Sequence, residues 1–172
     1  MRQVGTAIRH HTLEPFTTAV MFVRDFIHVD RPFEVVAPRF VSDTGWIAPI
    51  AEEAAADARD VAVSLLGHRP TGPAEPGRVR CEVGPVRARK SSILVPMWLI
   101  SERTEAALPD LAGDLEVAPV GVHRSLVAFA ATYQRPTHDL DLLERVERAT
   151  EAGLRTFLIG IAAVLNRPTS AA

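Results

Sequence analysis

The sequence predicts an α+β fold: a curved antiparallel sheet of six to seven strands around a long C-terminal helix, with two short helices after the first strand. Short segments between residues 78 and 134 are rich in β-branched and aromatic residues or alternate apolar with polar ones, which is typical of strands. Residues 139–166 repeat apolar positions at helical spacing. A helix this apolar requires a broad surface to lie on, and an antiparallel sheet offers one.

Length and composition favour one domain. The chain has 172 residues, of which 47% are apolar, and a net charge of −2. A core of ordinary size can form, and this charge does not steer the chain toward nucleic acid or an anionic membrane. We expect an N-terminal extension at 1–18, a single domain at 19–167 and a short tail at 168–172.

The location that the sequence favours is the cytoplasm. No charged segment followed by a continuous apolar stretch marks a signal peptide, and the most apolar helical run, 157–165, has about half the length of a membrane span. Cys81 is the single cysteine, so no intrachain disulfide can form, which fits a reducing compartment.

The N-terminal half predicts one strand and two helices. Residues 19–29 are the strand. Pro32 suits the first turn of a helix, which we expect to break at Pro38 or near Ser42. The second helix runs from Trp46 to Gly67. Its predicted apolar stripe contains Ile50, Ala54, Ala58, Val61 and Leu65.

The C-terminal half predicts further strands and the last helix. We expect strands at 78–83, 86–89, 93–101, 115–121 and 125–134, a Pro-rich loop at 68–77 and a connector at 105–114. The apolar stripe of the last helix contains Leu143, Val146, Thr150, Leu154, Phe157, Ile161 and Leu165. Gly153 and Gly160 cost helix propensity there, and close approach to the sheet is one reason for them.

The strand at 93–101 raises the question of what covers it. Residues 93–100 are eight consecutive apolar residues, too apolar for a strand with one face in water. One face is expected against the last helix. The N-terminal extension or a second copy of the chain would cover the other, so a homodimer is one alternative and internal cover another. Pro96 indicates an edge position or a bulge.

The segment 26–47, which contains "FIHVDRPFEVVAPRFVSDTGWI", resembles the opening of the SRPBCC, or START-like helix-grip, superfamily. The segment 95–121, the strand at 125–134 with the residues after it, and the last helix are also similar to that group. The resemblance covers residues 20–165. It implies a helix-grip fold with a cavity between sheet and long helix. Members bind lipids, sterols or polyketides, and some catalyse cyclisation or dehydration of polyketides, so the resemblance does not define one function.

No motif of a known catalytic or metal site is present. The six His residues show no HxxxH or HExxH spacing, and one cysteine cannot build a Cys-rich zinc site. Phosphate-binding, dinucleotide and GxSxG motifs are absent. We therefore predict no catalytic residue, no metal and no cofactor.

The predicted function is binding of a small hydrophobic molecule, such as a lipid, a sterol or a polyketide, in the cavity. A cyclase or dehydratase and a protein-interaction module with a filled cavity are the alternatives. Aromatic and apolar side chains fill space in a core as well as they hold a ligand, and a charged group in the cavity would orient a ligand's polar group. The candidate binding residues are Trp46, Arg80, Met97, Trp98, Glu116, Phe129, Tyr133, Leu154 and Phe157.

Overall fold

The computed structural model describes residues 20–66, 79–101, 108–134 and 140–167. Within these ranges the elements are β1 (Val20–Val29), α1 (Phe33–Ser42), α2 (Ile47–Leu66), β2 (Val79–Val83), β3 (Arg87–Ala88), β4 (Ile93–Ser101), β5 (Leu111–Val120), β6 (Arg124–Gln134) and α3 (Leu140–Asn166).

One antiparallel sheet holds the six described strands. Its order is β1-β6-β5-β4-β2, and β3 pairs with β4 beside β2. The helix α3 lies against β1 and β6, while α2 packs on α3 and β2. The predicted α+β architecture is therefore confirmed. Odd-numbered residues of β1, β2, β4, β5 and β6 face the helices, which defines the inner face, and even-numbered residues form the outer face.

β4 lies inside the sheet rather than at its edge, with β5 on one side and β2 and β3 on the other. Pro96 has no N–H to donate, and it stands where the neighbouring strand is interrupted between Val83 and Arg87. The Pro96 carbonyl still accepts a hydrogen bond of 2.8 Å from the Gly84 N–H. An edge position for Pro96 was therefore the wrong expectation, because the break falls in the partner strand.

The chain enters α1 at Pro32, whose carbonyl accepts hydrogen bonds from the Val35 and Val36 N–H groups at 3.0 and 3.1 Å. The helix continues through Pro38 and ends at Ser42, so of the two predicted break points the later one is correct. Trp46 precedes α2, and its indole N–H donates to the Asp43 carbonyl at 2.9 Å.

The stripe predicted on α3 is buried along its whole length, and Thr150 is buried within it. The buried face of α2 differs from the prediction by part of a turn. Ile47, Ala51, Ala54 and Ala58 are buried, whereas Ile50 is half-buried and Val61 is exposed.

The two glycines of α3 face α2 and not the sheet, which corrects the expectation from sequence. A Cβ on Gly153 would lie 2.6 Å from the Ala58 Cβ, and one on Gly160 would lie 2.5 Å from the Ile50 Cγ2. Both distances are shorter than real carbon contacts. The two helices therefore approach each other closely because these positions lack side chains.

The C-terminal end of α3 is capped by arginines from the other end of the chain. Arg39 donates to the Val164 carbonyl at 2.8 Å, and Arg31 donates to the Asn166 carbonyl at 3.2 Å. The last carbonyls of a helix lack partners within the helix and carry partial negative charge. Since the last turn of α3 has no basic residue, Arg31 and Arg39 supply the complementary charge.

β5 begins at Leu111, four residues before the strand predicted at 115–121. At Gly113 the backbone of β6 is so close that a Cβ would lie 2.6 Å from the Ala131 Cβ, so a side chain has no room there. The predicted extension at 1–18, the loop at 68–77 and the tail at 168–172 lie outside the described residues, and the division into these parts stays a prediction.

Candidate functional site

A cavity lies between the inner face of the sheet and the two long helices. A water-sized sphere can place its centre in about 40 Å³ of it, within an empty volume of about 510 Å³. The volume of about 510 Å³ includes space open to solvent at the mouth. The volume of about 40 Å³ therefore limits which molecules fit without movement of the walls. The lining residues are Ala51, Ala54, Ala55, Ala58, Val79, Leu99, Ser101, Leu108, Pro109, Leu111, Phe129, Thr150, Gly153, Leu154 and Phe157.

Small side chains on α2 create this space. Ala51, Ala54, Ala55 and Ala58 form one wall of the cavity, and alanine reaches only one carbon beyond the backbone. The contact of Gly153 with Ala58 fixes how close α2 comes to α3. The helices are therefore held together while the volume beneath the alanines stays empty.

Aromatic rings form the opposite wall. The Phe129 and Phe157 rings meet edge to face, with centroids 5.7 Å apart and an interplanar angle of 80°. Phe129 comes from the inner face of β6 and Phe157 from α3, and both are buried. This geometry is a favourable one for paired rings, and both rings present their surface to the cavity.

Polar groups in the lining are few. Ser101 and Thr150 are the polar side chains among the described lining residues. The Thr150 hydroxyl donates to the Val146 carbonyl at 2.8 Å, so its proton is already used. No Asp, Glu, His, Lys or Arg belongs to the described lining. The described part of this cavity thus lacks a pair of groups for general acid and base catalysis.

Three of the nine residues predicted from the sequence line the cavity: Phe129, Leu154 and Phe157. Met97 and Tyr133 lie on the inner face and are buried, but neither lines the cavity. Burial raises the pKa of the Tyr133 hydroxyl, and Glu147 and Glu151 on α3 raise it further.

The other four predicted residues lie elsewhere. Arg80, Trp98 and Glu116 project from the outer face of the sheet, because side chains alternate along a strand. Arg80 pairs there with Glu82 at 2.9 Å. Trp46 packs against Phe40 at the junction of α1 and α2, with ring centroids 5.2 Å apart.

The sequence interpretation missed two parts of the lining. Ala54 and Ala58 were predicted as part of the apolar stripe of α2 and not as a cavity wall, and Ala51 and Ala55 were not singled out, although the run from Ala51 to Ala58 was the available signal. Leu108, Pro109 and Leu111 fell in the predicted connector at 105–114, yet they contribute to the wall. Leu111 already belongs to β5, and its inner-face position follows from the alternation of that strand.

Cys81 lies on the inner face between the lining residues Val79 and Leu99 but does not itself line the cavity. Burial, together with Glu52 and Glu82, raises the pKa of its thiol to about 12. Since the thiolate is the nucleophile, this thiol is inert near neutral pH. Among the described residues, no three His, Cys, Asp or Glu side chains are grouped so that they could hold a metal ion.

Within the described ranges, no helix is long and apolar enough to cross a membrane.

No family model and no curated protein sequence matches the chain. Several solved structures do. Norcoclaurine synthase from Thalictrum flavum, in complex with dopamine and hydroxybenzaldehyde, is 14% identical with a TM-score of 0.52, and the match covers 98% of this chain and 100% of that one. The Zhui aromatase/cyclase from Streptomyces sp. R1128 is 12% identical with a TM-score of 0.44, over 87% and 95% of the two chains. A hypothetical protein from Helicobacter pylori is 13% identical with a TM-score of 0.42, over 95% and 98%.

The likeness to norcoclaurine synthase spans both chains nearly end to end. It shows that the chain has a helix-grip fold, as the sequence predicted. At 14% identity it defines the fold and leaves the function to the site itself.

Proposed function

We propose that the protein binds a small hydrophobic molecule in the cavity between the sheet, α2 and α3. The observation that supports this is a lining of aliphatic and aromatic groups with Thr150 and Ser101 as its polar members. Ligand sites are mostly apolar with a few polar groups that orient the ligand. The structural neighbour from Thalictrum flavum was solved with dopamine and hydroxybenzaldehyde, which are small aromatic molecules.

The size of the cavity limits which ligands fit. Room for a water-sized sphere's centre is about 40 Å³, and one water requires about 10–15 Å³ by this measure. A cavity of about 150 Å³ holds one benzene molecule, so even a single ring enters this cavity only if its walls move. A sterol or a lipid chain requires a larger movement, so a single apolar ring against Phe129 and Phe157 is the better match.

Binding without catalysis is the reading we favour. A cyclase or dehydratase requires at least two polar side chains within hydrogen-bond reach of one ligand. Ser101 and Thr150 do not titrate near neutral pH, and the Thr150 proton is held by the Val146 carbonyl. Of the predicted site residues, Phe129, Leu154 and Phe157 form the proposed binding wall, and we propose no ligand contact for the four outside the inner face.

A cavity this small, with apolar side chains exposed elsewhere, also supports the alternative of a protein-interaction module. Phe22 and Phe26 are 66% and 50% exposed on the outer face. The two functions use opposite faces of the sheet, so one does not exclude the other. The cytoplasmic location stays a prediction that rests on the single cysteine.

The test uses toluene, a single apolar ring of the size that the cavity favours, titrated into the full chain. We expect one toluene per chain by isothermal titration calorimetry. Ala55→Phe fills the cavity, because Ala55 lines it, and should lower the affinity about tenfold or more. Ala56→Phe is the matched control, because Ala56 is exposed on the same helix.

Equal effects of the two substitutions, or a wild-type chain that binds no toluene and carries no organic adduct after purification, would overturn the proposal. Thermal shifts with a panel of single-ring aromatics, fatty acids and sterols then rank the ligand classes. Shifts by sterols and not by single rings would contradict the size argument alone.

A further inference from the structure

The outer face of β1 is unusually apolar for a surface. Val20, Phe22 and Phe26 project from it and are 68%, 66% and 50% exposed. A shallow groove beside them is lined by Arg24, Phe26, His28, Val120 and Leu126. Contiguous exposed apolar surface of this kind marks an interaction site in soluble proteins.

The next strand, β6, presents small side chains to the same side. Its outer-face residues are Arg124, Leu126, Ala128, Ala130, Thr132 and Gln134, of which Ala128, Ala130 and Thr132 are small. Face-to-face sheets pack about 10 Å apart, and side chains interdigitate between them. Because the small side chains of β6 lie between β1 and β5, a second sheet can approach this face closely along β6.

The charges on this face lie in register. Arg24 on β1 pairs with Ala130 on β6, and Ala130 pairs with Asp114 on β5. The two charges therefore sit at the same height along the strands, one strand to either side of β6. Arg24 is also the middle one of the outward residues of β1, which are Val20, Phe22, Arg24, Phe26 and His28. Within the described ranges, neither Arg24 nor Asp114 makes an ion pair.

We propose that two copies of this chain associate through the outer faces of β1, β6 and β5, about a two-fold axis that runs along β6. Rotation about this axis keeps each residue at its height and exchanges left with right. β1 of one copy then lies over β5 of the other. Arg24 of each copy meets Asp114 of the other copy, and two equivalent ion pairs form.

The same rotation matches large side chains with small ones. Phe22 lies at the height of Thr132 and Ala112, so the Phe22 ring meets the partner's Ala112. Ala130 meets its own symmetry mate on the axis. A two-fold interface must be complementary to itself, and this surface satisfies that condition in charge at Arg24 with Asp114 and in size at Phe22 with Ala112, while Phe26 lies over the partner's Glu116.

The area indicates a weak dimer. Three strands of about ten residues, at about 3.4 Å per residue and about 4.8 Å between strands, give a footprint of about 500 Å² per copy. This is at the small end of specific interfaces, so we expect a dissociation constant in the micromolar range.

The face suits a second copy better than a lipid surface. Asp114 and Glu116 lie on it beside the exposed phenylalanines, and acidic side chains oppose contact with an anionic membrane. In the dimer Asp114 is instead neutralised by Arg24 of the other copy.

Sedimentation velocity of the full chain, from micromolar to near-millimolar concentration, tests the dimer. Arg24→Glu and Asp114→Arg should each weaken self-association about tenfold or more, since like charges then face each other twice. An equimolar mixture of the two variants should form a heterodimer close to wild-type affinity, because both of its pairs are again opposite in charge. Arg87→Glu is the control, since Arg87 pairs beside β4, outside the footprint.

A wild-type chain that stays monomeric at all concentrations would falsify the proposal, as would a mixture in which no heterodimer forms. So would a dimer that Arg87→Glu weakens as much as Arg24→Glu does. Circular dichroism and melting curves of each variant separate loss of association from loss of folding. Co-sedimentation of the monomer with phosphatidylcholine–phosphatidylserine vesicles, reduced by Phe22→Ser, would assign the face to lipid instead.

Discussion

The two faces of the sheet are built from the same strands but have opposite surroundings. On the inner face, Val95, Leu115 and Phe129 are fully buried under α2 and α3. On the outer face, Phe22, Phe26 and Trp98 are 66%, 50% and 41% exposed, while alanines occupy the middle. Large side chains thus fill the side with helices. On the other side Leu94 is buried, but Phe22, Phe26 and Trp98 are exposed.

This difference teaches that apolar content by itself does not identify the ligand site. β4 is apolar on both faces, but its inner face lies on the side of the helices and its outer face does not. The inner face holds a volume that small residues of α2 leave empty. The outer face holds a surface that nothing in the described chain covers fully. Substitutions on the two faces should therefore have unequal effects.

The largest effect is expected at Phe129. Phe129→Ala removes a fully buried ring that packs on Phe157, and should lower the free energy of unfolding by about 3–5 kcal/mol. Phe26→Ala, the same substitution at an exposed site, should change it by less than about 1 kcal/mol. Urea unfolding at low protein concentration measures both. Equal losses would mean that the outer face is covered in the monomer.

The second effect concerns the contact that holds α2 on α3. Gly153→Ala should destabilise the fold by about 1–2 kcal/mol, since the gain in helix propensity is outweighed by overpacking against Ala58. In an Ala58→Gly background the cost should disappear. In an Ala56→Gly background it should persist, because Ala56 is exposed on the other side of α2. A cost that is the same in both backgrounds would show that the helices are not in contact here.

The third effect is a pH dependence from the inner face. Burial raises the pKa of Cys81 from 9.0 to about 12, so the unfolded chain releases this proton at lower pH than the folded chain. The free energy of unfolding should therefore fall as pH rises from about 9 toward 12, by about 2 kcal/mol at pH 10.5. Cys81→Ala should remove this part of the slope, and the tyrosine contribution cancels in the difference. Parallel curves for the two proteins would contradict the burial of the thiol.

The smallest effect is expected on the outer face. The Arg80 and Glu82 side chains form an ion pair of 2.9 Å, but they are 55% and 47% exposed. Arg80→Met should change the free energy of unfolding by less than about 0.5 kcal/mol, because exposed pairs are screened by water. A double-mutant cycle with Glu82→Gln isolates the pair. A coupling well above that value would show that this edge is shielded from solvent.

The sequence predicted the fold more fully than the site. The stripe on α3 repeats over many turns, so an error at one position does not change which side is predicted to be buried. The site depends on which face each strand residue takes and on where small residues leave space. Met97 and Trp98 are neighbours in one strand and cannot both face the helices, so alternation itself argues against proposing both. The empty volume beneath Ala55 arises from the meeting of three distant segments, which no local pattern reports.

The pairing of β1 with β6 has a consequence for synthesis. Its register joins Val29 with Ser125 and Val20 with Gln134. These partners are 96 and 114 residues apart in the sequence. A ribosome adds about 5–20 residues per second, so the first strand is made roughly 5 to 20 s before its partner. Throughout that interval Phe22 and Phe26 have no sheet to join, and the emerging chain depends on chaperones or on its own dilution to keep that strand from pairing elsewhere.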